Sequence, residues 1–246
     1  MSAQPRTLVV VATYNEIENL PRLTDEIFQQ PVELQMLVID DSSPDGTGRW
    51  CDRRAEEDSR FRVLHRPGKL GLGTATIAGL QYALDHGFDF ALVLDADLSH
   101  PPRYIPDLLA GMASEDGDEG VDVMIGSRYV PGGRIVGWPR HRRWMSRCLN
   151  GYARWMLGLQ ARDCSGAFRC YRAELLRRIG LHNVRSRGYA YLEELLWRAQ
   201  RAGARIGETP IVFVDRQFGQ TKINWREALA ALAILLRLGV RNHFHI

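Results

Sequence analysis

The chain has 246 residues, 45% hydrophobic and 25% charged, which is the composition of an ordinary globular protein long enough for one α/β domain. A net charge of +3 gives no bulk electrostatic reason to expect nucleic acid as a partner. Residues 1–6 lack an apolar signal region, and no run approaches the roughly 20 apolar residues of a membrane-spanning helix. The four cysteines show no zinc or redox spacing, so we expect reduced thiols in a soluble or peripheral cytosolic protein.

The amino-terminal part alternates predicted strands and helices. Residues 7–12 (TLVVVA) predict a strand, and the turn after it lacks the glycines of a dinucleotide-binding fold. Residues 34–39 predict a second strand, which ends in the acidic stretch DDSSPDGT. Asp41 lies just past this strand, where a carboxylate can accept hydrogen bonds from a base or ribose. Asp45 and Thr47 are explained as well by capping of the next helix.

A third strand is predicted at residues 62–65, followed by a glycine-containing turn and a helix through Ala83. Gly71 and Gly73 suggest a phosphate-binding loop, but the lysine and hydroxyl residue of a Walker motif are absent. The turn is therefore either a flexible loop near a nucleotide, with Lys69 reaching phosphate, or a plain turn.

The apolar run at residues 91–94 predicts a buried strand that ends in Asp95-Ala96-Asp97. Ligands of open α/β sheets bind at the carboxyl edge of the strands. The turn at residues 98–102 lets both carboxylates face one cation, and Mg²⁺ or Mn²⁺ binds through such carboxylates together with substrate phosphates. The motif indicates a metal-held nucleotide diphosphate, although helix capping explains a lone D-x-D equally well.

A fifth strand is predicted at residues 121–126, and the regular alternation favours a mostly parallel, doubly wound α/β sheet. A helix predicted over residues 139–158 interrupts this alternation. On a helical wheel its arginines share one side, its large apolar residues lie opposite and two tryptophans flank the arginines. This pattern suits contact with anionic lipid headgroups, and a solvated basic face on a core helix is the alternative. The arginines are Arg140, Arg143, Arg147 and Arg154, the apolar residues are Met145, Leu149, Tyr152 and Met156, and the tryptophans are Trp144 and Trp155.

The carboxyl-terminal part contains two further predicted helices, one from Ala173 and one over residues 190–202, and then a strand pair or bent strand at residues 206–214. The stretch that follows carries Arg216 and Lys222 around glycine, which predicts a mobile flap that closes on a diphosphate. An exposed polar loop is the alternative.

The last segment, residues 225–239, has an amphipathic helical pattern. Trp225, Leu229, Leu232 and Leu236 share one side, while Leu238 falls on the polar side. We predict a catalytic domain over residues 1–224 and a C-terminal amphipathic helix within residues 225–246 that contacts a membrane surface or a partner. A helix folded back on the catalytic core is the alternative.

Seven motifs occur in order: ATYNE (12–16), DDSSPDGT (40–47), DADLSHPP (95–102), GSRYVPGG (126–133), DCSGAFRCYR (163–172), RGYAYLEEL (187–195) and VDRQFGQTK (214–222). Together they resemble the dolichol-phosphate (polyprenol-phosphate) mannosyltransferases, inverting nucleotide-sugar transferases of the GT-A fold. The resemblance covers residues 7–222. Ala12 stands where that family usually has proline, and Thr221 where serine is common.

The resemblance implies a role for individual positions. It implies donor binding by a nucleoside pocket and by the acidic motif, catalysis by two carboxylates and two arginines, and a metal site around the acidic motif. The implied donor-binding residues are Ala12, Tyr14, Glu16, Ile39, Asp41, Asp95, Ala96, Asp97, Arg128, Arg216 and Lys222; the catalytic residues are Asp95, Asp97, Arg128 and Arg216; the metal-side residues are Asp97, Ser99 and Asp95.

The implied reaction moves mannose from GDP-mannose to a polyprenyl phosphate with inversion, assisted by Mg²⁺ or Mn²⁺. The resemblance is to members whose catalytic subunit is soluble, which implies a peripheral protein on the cytoplasmic face of a membrane and a separate anchoring subunit. A polyprenyl-phosphate glucosyltransferase that uses UDP-glucose is the main alternative. A haloacid-dehalogenase-like phosphatase is a remote one, because its D-x-D follows the first strand, whereas three predicted strands precede this motif. A non-catalytic relative is a further alternative, but every implied site residue is present.

Overall fold

The computed structural model describes residues 5–113, 120–186 and 188–216, together with residues 236, 238 and 239 near the carboxyl end. In chain order the described elements are β1 (Thr7–Thr13), α1 (Leu20–Phe28), β2 (Leu34–Asp40), α2 (Thr47–Glu57), β3 (Phe61–His65), α3 (Leu72–Asp85), β4 (Phe90–Val93), α4 (Ile105–Met112), β5 (Val123–Ser127), β6 (Arg134–Val136), α5 (Arg140–Leu157), β7 (Arg169–Arg172), α6 (Ala173–Ile179), α7 (Tyr191–Arg201), β8 (Ile206–Pro210) and β9 (Val212–Val214). Short 3₁₀ turns at Pro102–Tyr104 and Leu181–Asn183 precede α4 and α7.

A seven-stranded sheet in the order β3-β2-β1-β4-β7-β5-β8 forms the centre of the molecule. Strands β3, β2, β1 and β4 are mutually parallel, and β5 is parallel to β8. The predicted α/β fold with a mostly parallel sheet is therefore confirmed. The carboxyl ends of β1, β2 and β4 lie side by side, so the loops after these strands share one edge of the sheet.

The central strands are buried on both faces, because helices cover the sheet from two sides. Along β1, Leu8 and Val10 face the cluster that includes α3, while Val9 and Val11 face the cluster that includes α1. All four side chains have no exposed surface. Alternation of side chains along a strand explains why a sequence that is apolar at every position, rather than at every second one, forms this strand.

Strand β7, like the short strand β6, was not predicted from the sequence. It runs antiparallel between β4 and β5, so the doubly wound parallel pattern does not extend through the sheet. We expected only loop before Ala173, because RCYR is short and has arginine at both ends. Arg169 is nevertheless fully buried, since its guanidinium donates to the carbonyl oxygens of Leu192 (2.8 Å) and Cys164 (2.6 Å).

The predicted strand pair at residues 206–214 divides between two sheets. Strand β8 pairs with β5 in the main sheet, whereas β9 pairs with β6 in a separate two-stranded sheet. The backbone N–H of Val214 also donates to the Ser99 carbonyl oxygen at 3.1 Å. The small sheet thereby brings the chain just before Arg216 to the loop after β4.

Helix α5 buries a narrower face than its sequence suggests. The buried residues are Asn150, Ala153 and Leu157, whereas Trp144 and Trp155 are each 70% exposed. Met145 and Leu149 are also exposed, so the side of the helix with large apolar residues is not its core side. None of the described helices is both long and apolar enough to cross a membrane.

The predicted carboxyl-terminal amphipathic helix falls mostly outside the described residues, which omit Trp225, Leu229 and Leu232. Leu238 is only 5% exposed and belongs to the main core cluster, in which Met156 of α5 is partly buried. Leu236 is 45% exposed. At Leu238 the chain therefore packs on the catalytic domain.

Candidate functional site

The loops that follow β1, β2 and β4 each contain a residue with a left-handed backbone. Asn15, Ser42 and Leu98 have φ angles of 59°, 56° and 60°. This conformation is uncommon for residues other than glycine, and residues held in it concentrate at binding sites. The three loops thus adopt tight, specific turns at one edge of the sheet, where ligands of α/β proteins bind.

Hydrogen bonds tie the loop after β1 to the loop after β2. The backbone N–H groups of residues 15–17 donate to the Ser43 hydroxyl (2.9 Å), the Thr47 hydroxyl (3.0 Å) and the Asp45 carboxylate (3.1 Å) in turn. Burial tends to raise the pKa of Asp45, but hydrogen bonds from Thr47 and from backbone N–H groups outweigh it, so that the pKa is lowered. These contacts give Asp45 and Thr47 a structural role in shaping the two loops.

The five positions implied as a nucleoside pocket lie on these two strand ends. Tyr14 is half-buried, and the Lys69 ammonium lies 4.9 Å from the centre of its ring. Glu16 is buried, and Ala12 is partly exposed. Ile39 has no exposed surface and its side chain belongs to the core. Only the backbone of Ile39 is therefore available to a ligand.

Asp41 forms a two-point ion pair that the sequence analysis did not foresee. Arg66 Nε and Nη2 donate to the two Asp41 carboxylate oxygens at 2.6 and 2.7 Å. Arg66 Nη1 also donates to the Thr74 hydroxyl at 2.9 Å, which ties the β2 loop to the start of α3. Each carboxylate oxygen has further lone pairs, so Asp41 remains able to accept a hydrogen bond from a base or ribose.

The two carboxylates of the D-x-D motif lie just beyond β4 and close to Arg216. Asp97 Oδ1 accepts the Ser99 backbone N–H at 3.1 Å, and Arg216 Nε lies 3.6 Å from Asp97 Oδ2. Burial raises the pKa of Asp95 to about 7, and the neighbouring Asp97 charge adds to the effect. Two crowded carboxylates of this kind are stabilised by a cation placed between them.

The position of Arg216 depends on the residue before it. Asp215 Oδ1 accepts hydrogen bonds from Trp138 Nε1 at 3.1 Å and Arg142 Nη1 at 3.2 Å. The Asp215 backbone N–H donates to the Val136 carbonyl oxygen at 2.9 Å. The small sheet and the start of α5 thus hold the first residue of the predicted flap, while Lys222 and the rest of that flap lie outside the described residues.

Ser99 and His100 place buried polar atoms next to the carboxylates. Ser99 Oγ and both ring nitrogens of His100 have no hydrogen-bond partner within the part of the chain that the structure describes. The His100 ring packs between Phe168 and Phe213, and burial lowers its pKa to about 4. Its Nδ1 lies 3.4 Å from Asp95 Oδ2. Unsatisfied buried polar atoms are costly, which indicates that a ligand completes this site.

The donor set fits a divalent ion that prefers oxygen ligands. Asp95, Asp97 and the Ser99 hydroxyl supply oxygen atoms, and Mg²⁺ characteristically takes one or two protein carboxylates with the remainder from water and substrate phosphate. The described residues contain no group of three or more His, Cys, Asp or Glu side chains that would hold a metal alone. A metal held here would take its remaining ligands from water and substrate phosphate.

Arg128 is anchored more firmly than a mobile phosphate ligand would be. Its Nε and Nη2 donate to the two oxygens of Asp163 at 2.7 Å each, and Nη2 donates to the Ser165 hydroxyl at 2.9 Å. Arg128 is 7% exposed and Asp163 is fully buried. Burial tends to raise the pKa of Asp163, but the Arg128 charge outweighs it and the pKa is lowered. Asp163 thus holds the Arg128 guanidinium in a fixed position near Asp95.

Two acidic residues were given no role from the sequence. One is Asp163, the partner of Arg128, and the other is Glu193, whose carboxyl interacts electrostatically with both. The DCSG motif drew attention to Asp163, but nothing in it indicated the partner thirty-five residues earlier. Burial raises the pKa of Glu193 to about 7, and its Oε2 has no hydrogen-bond partner among the described residues. Helix α7 carries several other charged residues, among them Glu194 and Arg198, so no local signal singled out Glu193.

Comparison with known proteins agrees with this geometry. Residues 8–180 match the family described as Glycosyl transferase family 2. An undecaprenyl-phosphate mannosyltransferase of Micrococcus luteus is 44% identical over 219 residues, which cover 89% of this chain and 88% of the relative. A polyprenol monophosphomannose synthase of Mycolicibacterium smegmatis is 41% identical over 232 residues, which cover 93% of this chain and 86% of the relative.

Solved structures share the fold. The chain superposes on glucosyl-3-phosphoglycerate synthase from Mycobacterium tuberculosis in complex with UDP, with a TM-score of 0.65 and 20% identity over 96% of this chain and 81% of the other. A mannosyltransferase from Pyrobaculum calidifontis in complex with GDP-Man and Mn²⁺ gives a TM-score of 0.61 and 21% identity over 100% of this chain and 66% of the other.

A mostly parallel α/β sheet with paired carboxylates past its fourth strand is consistent with the GT-A glycosyltransferases, whose fold the chain shares. The chain belongs to glycosyl transferase family 2 and, within it, to the family of polyprenol-phosphate mannosyltransferases. The resemblance inferred from the seven motifs is thereby confirmed.

Proposed function

We propose that the protein transfers mannose from GDP-mannose to a polyprenyl phosphate with inversion at the anomeric carbon, giving a β-linked polyprenyl phosphomannose. The observation that carries the proposal is the grouping of Asp95, Asp97 and Arg216 at the carboxyl end of β4. Two carboxylates and a nearby guanidinium suit a metal-assisted nucleotide diphosphate as leaving group. The similarity to two bacterial enzymes named for polyprenyl-phosphate mannose transfer supports the acceptor and the sugar.

The chain's own groups divide into donor-holding and charge-neutralising residues. In the reaction an oxygen of the acceptor phosphate forms a bond to the sugar's anomeric carbon while the bond to the nucleoside diphosphate breaks. Arg216 lies where it can stabilise the negative charge that develops on the departing diphosphate, and Lys222 is proposed to assist it. Arg128, held by Asp163, is proposed to attract the acceptor phosphate.

Mg²⁺ or Mn²⁺, held by Asp97 with Asp95 and Ser99, would neutralise diphosphate charge as a Lewis acid. The acceptor is a phosphate that is already ionised near neutral pH, so no strong general base is required. His100 is consistent with this, because burial keeps its imidazole neutral and its pKa low. The neutral ring thus adds no positive charge beside Asp95.

The base of the donor distinguishes the proposal from its main alternative, a UDP-glucose enzyme. A proposed nucleoside pocket formed by Tyr14 and Asp41 would accommodate a stacked base and a carboxylate-bound N–H group, features that guanine and uracil share. A solved structural neighbour holds GDP-Man with Mn²⁺, and another holds UDP. The relatives named for mannose transfer favour GDP-mannose.

A donor screen tests the proposal directly. Purified protein, a detergent-dispersed polyprenyl phosphate and Mg²⁺ or Mn²⁺ are incubated with GDP-mannose or UDP-glucose, and the lipid product is quantified by mass spectrometry. We expect product with GDP-mannose, none after EDTA, and none with Asp97→Ala. If only UDP-glucose gave product, UDP-glucose would replace GDP-mannose as the proposed donor. Full activity in EDTA would show that the reaction needs no metal.

The site of action is proposed to be the cytoplasmic face of a membrane, where the protein is peripheral. Exposed Trp144 and Trp155 on α5 beside arginines support this proposal, because amphipathic helices of this composition lie in the headgroup layer. The carboxyl-terminal helix and a separate anchoring subunit are proposed as additional contacts. Flotation with liposomes, comparing the full chain with a version that ends at Lys222, separates the contribution of that helix from that of α5.

A further inference from the structure

A pocket of about 290 Å³ lies between α5 and the loop after β5, and we refer to it as the basic pocket. Its lining includes four arginines, Arg128, Arg147, Arg154 and Arg162, and none of the described residues that line it is acidic. This volume falls at the lower end of small-molecule sites, which span roughly 300–1,000 Å³. The basic pocket therefore suits a small anionic group rather than a whole nucleotide sugar.

Three of these arginines are not neutralised by the described part of the chain. Arg128 is paired with Asp163, but Arg147, Arg154 and Arg162 have exposed side chains and form no salt bridge with a described carboxylate. The nearby Glu208 carboxylate is occupied by the backbone N–H groups of Arg162 (2.7 Å) and Asp163 (3.0 Å). Helix α5 itself contains no Asp or Glu. Like charges gathered in one pocket repel one another unless an anion joins them.

The helix leaves room for that anion between two arginines. Arg147 and Arg154 are seven residues apart, about two helical turns or roughly 10 Å along the axis. Gly151 lies between them, and a Cβ atom placed there would meet nothing within 4 Å. Side chains as long as arginine can converge over this open surface, and the guanidinium group binds phosphate through paired N–H donors.

An apolar surface adjoins the basic pocket on the same helix. Trp144 and Trp155 are each 70% exposed, Met145 is 52% exposed and Leu149 is 57% exposed. On the helical wheel Trp144 and Trp155 flank the arginines, so the apolar surface begins at these two tryptophans. A phosphate that carries a hydrocarbon chain matches both features at once, because its charged end and its chain require contiguous basic and apolar surfaces.

We infer that the basic pocket binds the phosphate group of a membrane lipid, with the exposed apolar side chains of α5 lying in the headgroup layer around it. This site involves Arg147, Arg154 and Arg162, none of which lies at the carboxylate pair. The inference rests on the proposed function in that a lipid substrate brings the enzyme to a bilayer. Two sources share the chemistry, an anionic phospholipid of the bilayer and the polyprenyl phosphate itself.

The test measures binding to vesicles and involves no donor and no transfer. The full chain is mixed with sucrose-loaded vesicles of phosphatidylcholine alone, with added phosphatidylglycerol, or with added polyprenyl phosphate at equal lipid charge, and sedimented protein is quantified. Arg147→Gln/Arg154→Gln is compared with Arg53→Gln/Arg177→Gln, a double variant of exposed arginines on α2 and α6 that removes the same total charge. Thermal melts confirm that each variant is folded.

We expect the basic-pocket variant to bind anionic vesicles roughly 30-fold more weakly than the wild type, since each basic residue at an anionic surface contributes about fivefold. The control variant should lose much less, and Arg162→Gln should show an intermediate loss. If the basic-pocket variant loses binding equally to vesicles with phosphatidylglycerol and to vesicles with polyprenyl phosphate, the pocket binds bilayer phospholipid. If it loses binding only to vesicles with polyprenyl phosphate, the pocket binds the acceptor. Equal binding by the two double variants would overturn the inference, whether or not the protein transfers mannose.

Discussion

Asp163 is the residue on which the charge and position of Arg128 depend. Both side chains are buried and joined by two hydrogen bonds of 2.7 Å. Asp163→Asn preserves the shape of the side chain but leaves a buried guanidinium without its counter-charge. We expect the free energy of unfolding at pH 7 to fall by about 3–5 kcal/mol, measured by urea titration.

The pH dependence of this difference checks its electrostatic origin. The pKa of Asp163 is lowered in the folded protein, so its stabilisation is fully present above the pKa of the unfolded carboxyl, about 3.9. That stabilisation is lost as the pH falls through the lower folded value. The advantage of the wild type over Asp163→Asn should therefore shrink below about pH 4. A difference that is the same at pH 3 and pH 7 would indicate a packing defect instead.

Arg216 is predicted to act on catalysis rather than on stability. Its Nε lies 3.6 Å from Asp97 at a site that is expected to receive the donor diphosphate. Arg216→Ala should lower kcat by about 10²–10³, as removal of a single preorganised donor does in other enzymes. Arg216→Lys should retain part of the activity, because the positive charge remains. Turnover is measured at saturating donor. If the alanine variant matched the wild type, Arg216 would have no catalytic role and the alternative, an exposed polar loop, would be correct.

Individual residues differ in how far sequence could predict their place. Asp95 and Asp97 were predictable, because an apolar run before two acids places them at a strand end whatever the rest of the chain does. Arg66 and Asp163 were not, since their partners are 25 and 35 residues away in the sequence and no local pattern indicates the pairing. Long-range ion pairs are set by the packing of whole elements.

At the scale of elements, the contact between α3 and β1 depends on a residue without a side chain. A Cβ atom on Gly79 would overlap Val10 Cγ1, and Val10 is fully buried in the central strand. Gly79→Ala should lower the free energy of unfolding by about 1–3 kcal/mol, because the helix must move away from the sheet. Chemical denaturation of the purified variant measures this loss.

Gly151 provides a matched control, because it also lies within a helix but has open space where a Cβ would be. Gly151→Ala should stabilise the protein by up to about 1 kcal/mol through helix propensity. The double variant Val10→Ala/Gly79→Ala should be less destabilised than the sum of its single variants, since the smaller valine replacement makes room for the new methyl group. Additive losses would contradict a direct clash.

Elements with long apolar runs were predictable, whereas the short strands β6 and β7 were not. Strand β7 has only four residues, with arginine at each end, so neither its length nor its pattern indicated a central strand. For α5, the helical wheel left two interpretations open: contact with lipid headgroups, and a solvated basic face on a core helix. Which side of a helix is buried depends on the neighbouring elements, and here the small residue Ala153 faces the core while two tryptophans do not.

For the whole molecule, stability should depend on nucleotide and metal together. A ligand at 100 times its Kd adds about 2.7 kcal/mol to the folded state. For a protein of this size that corresponds to a rise in Tm of roughly 5–10 °C. We expect GDP with Mn²⁺ to produce such a shift and GDP with EDTA to produce a smaller one, measured by scanning fluorimetry.

Asp97→Asn separates the metal from the nucleotide in the same measurement. Because Asp97 is the proposed principal metal ligand, the variant should keep the shift caused by GDP in EDTA but lose the extra shift that Mn²⁺ adds. UDP serves as the comparison nucleotide, and the larger shift identifies the preferred base. An undiminished effect of Mn²⁺ on Asp97→Asn would place the metal elsewhere.

The antiparallel strand β7 also constrains the order in which a growing chain can complete its sheet. Strands β1 to β4 are neighbours in the order β3-β2-β1-β4, and only β4 also pairs with a later strand, β7, so these four can assemble soon after they leave the ribosome. Strand β5 is made next, but its neighbour in the sheet is β7, which is complete only when residue 172 has been synthesised. Until then β4 presents an unpaired edge, and such edges promote aggregation of nascent chains. The enzyme is thus expected to be most vulnerable to misfolding during synthesis of the segment that contains α5.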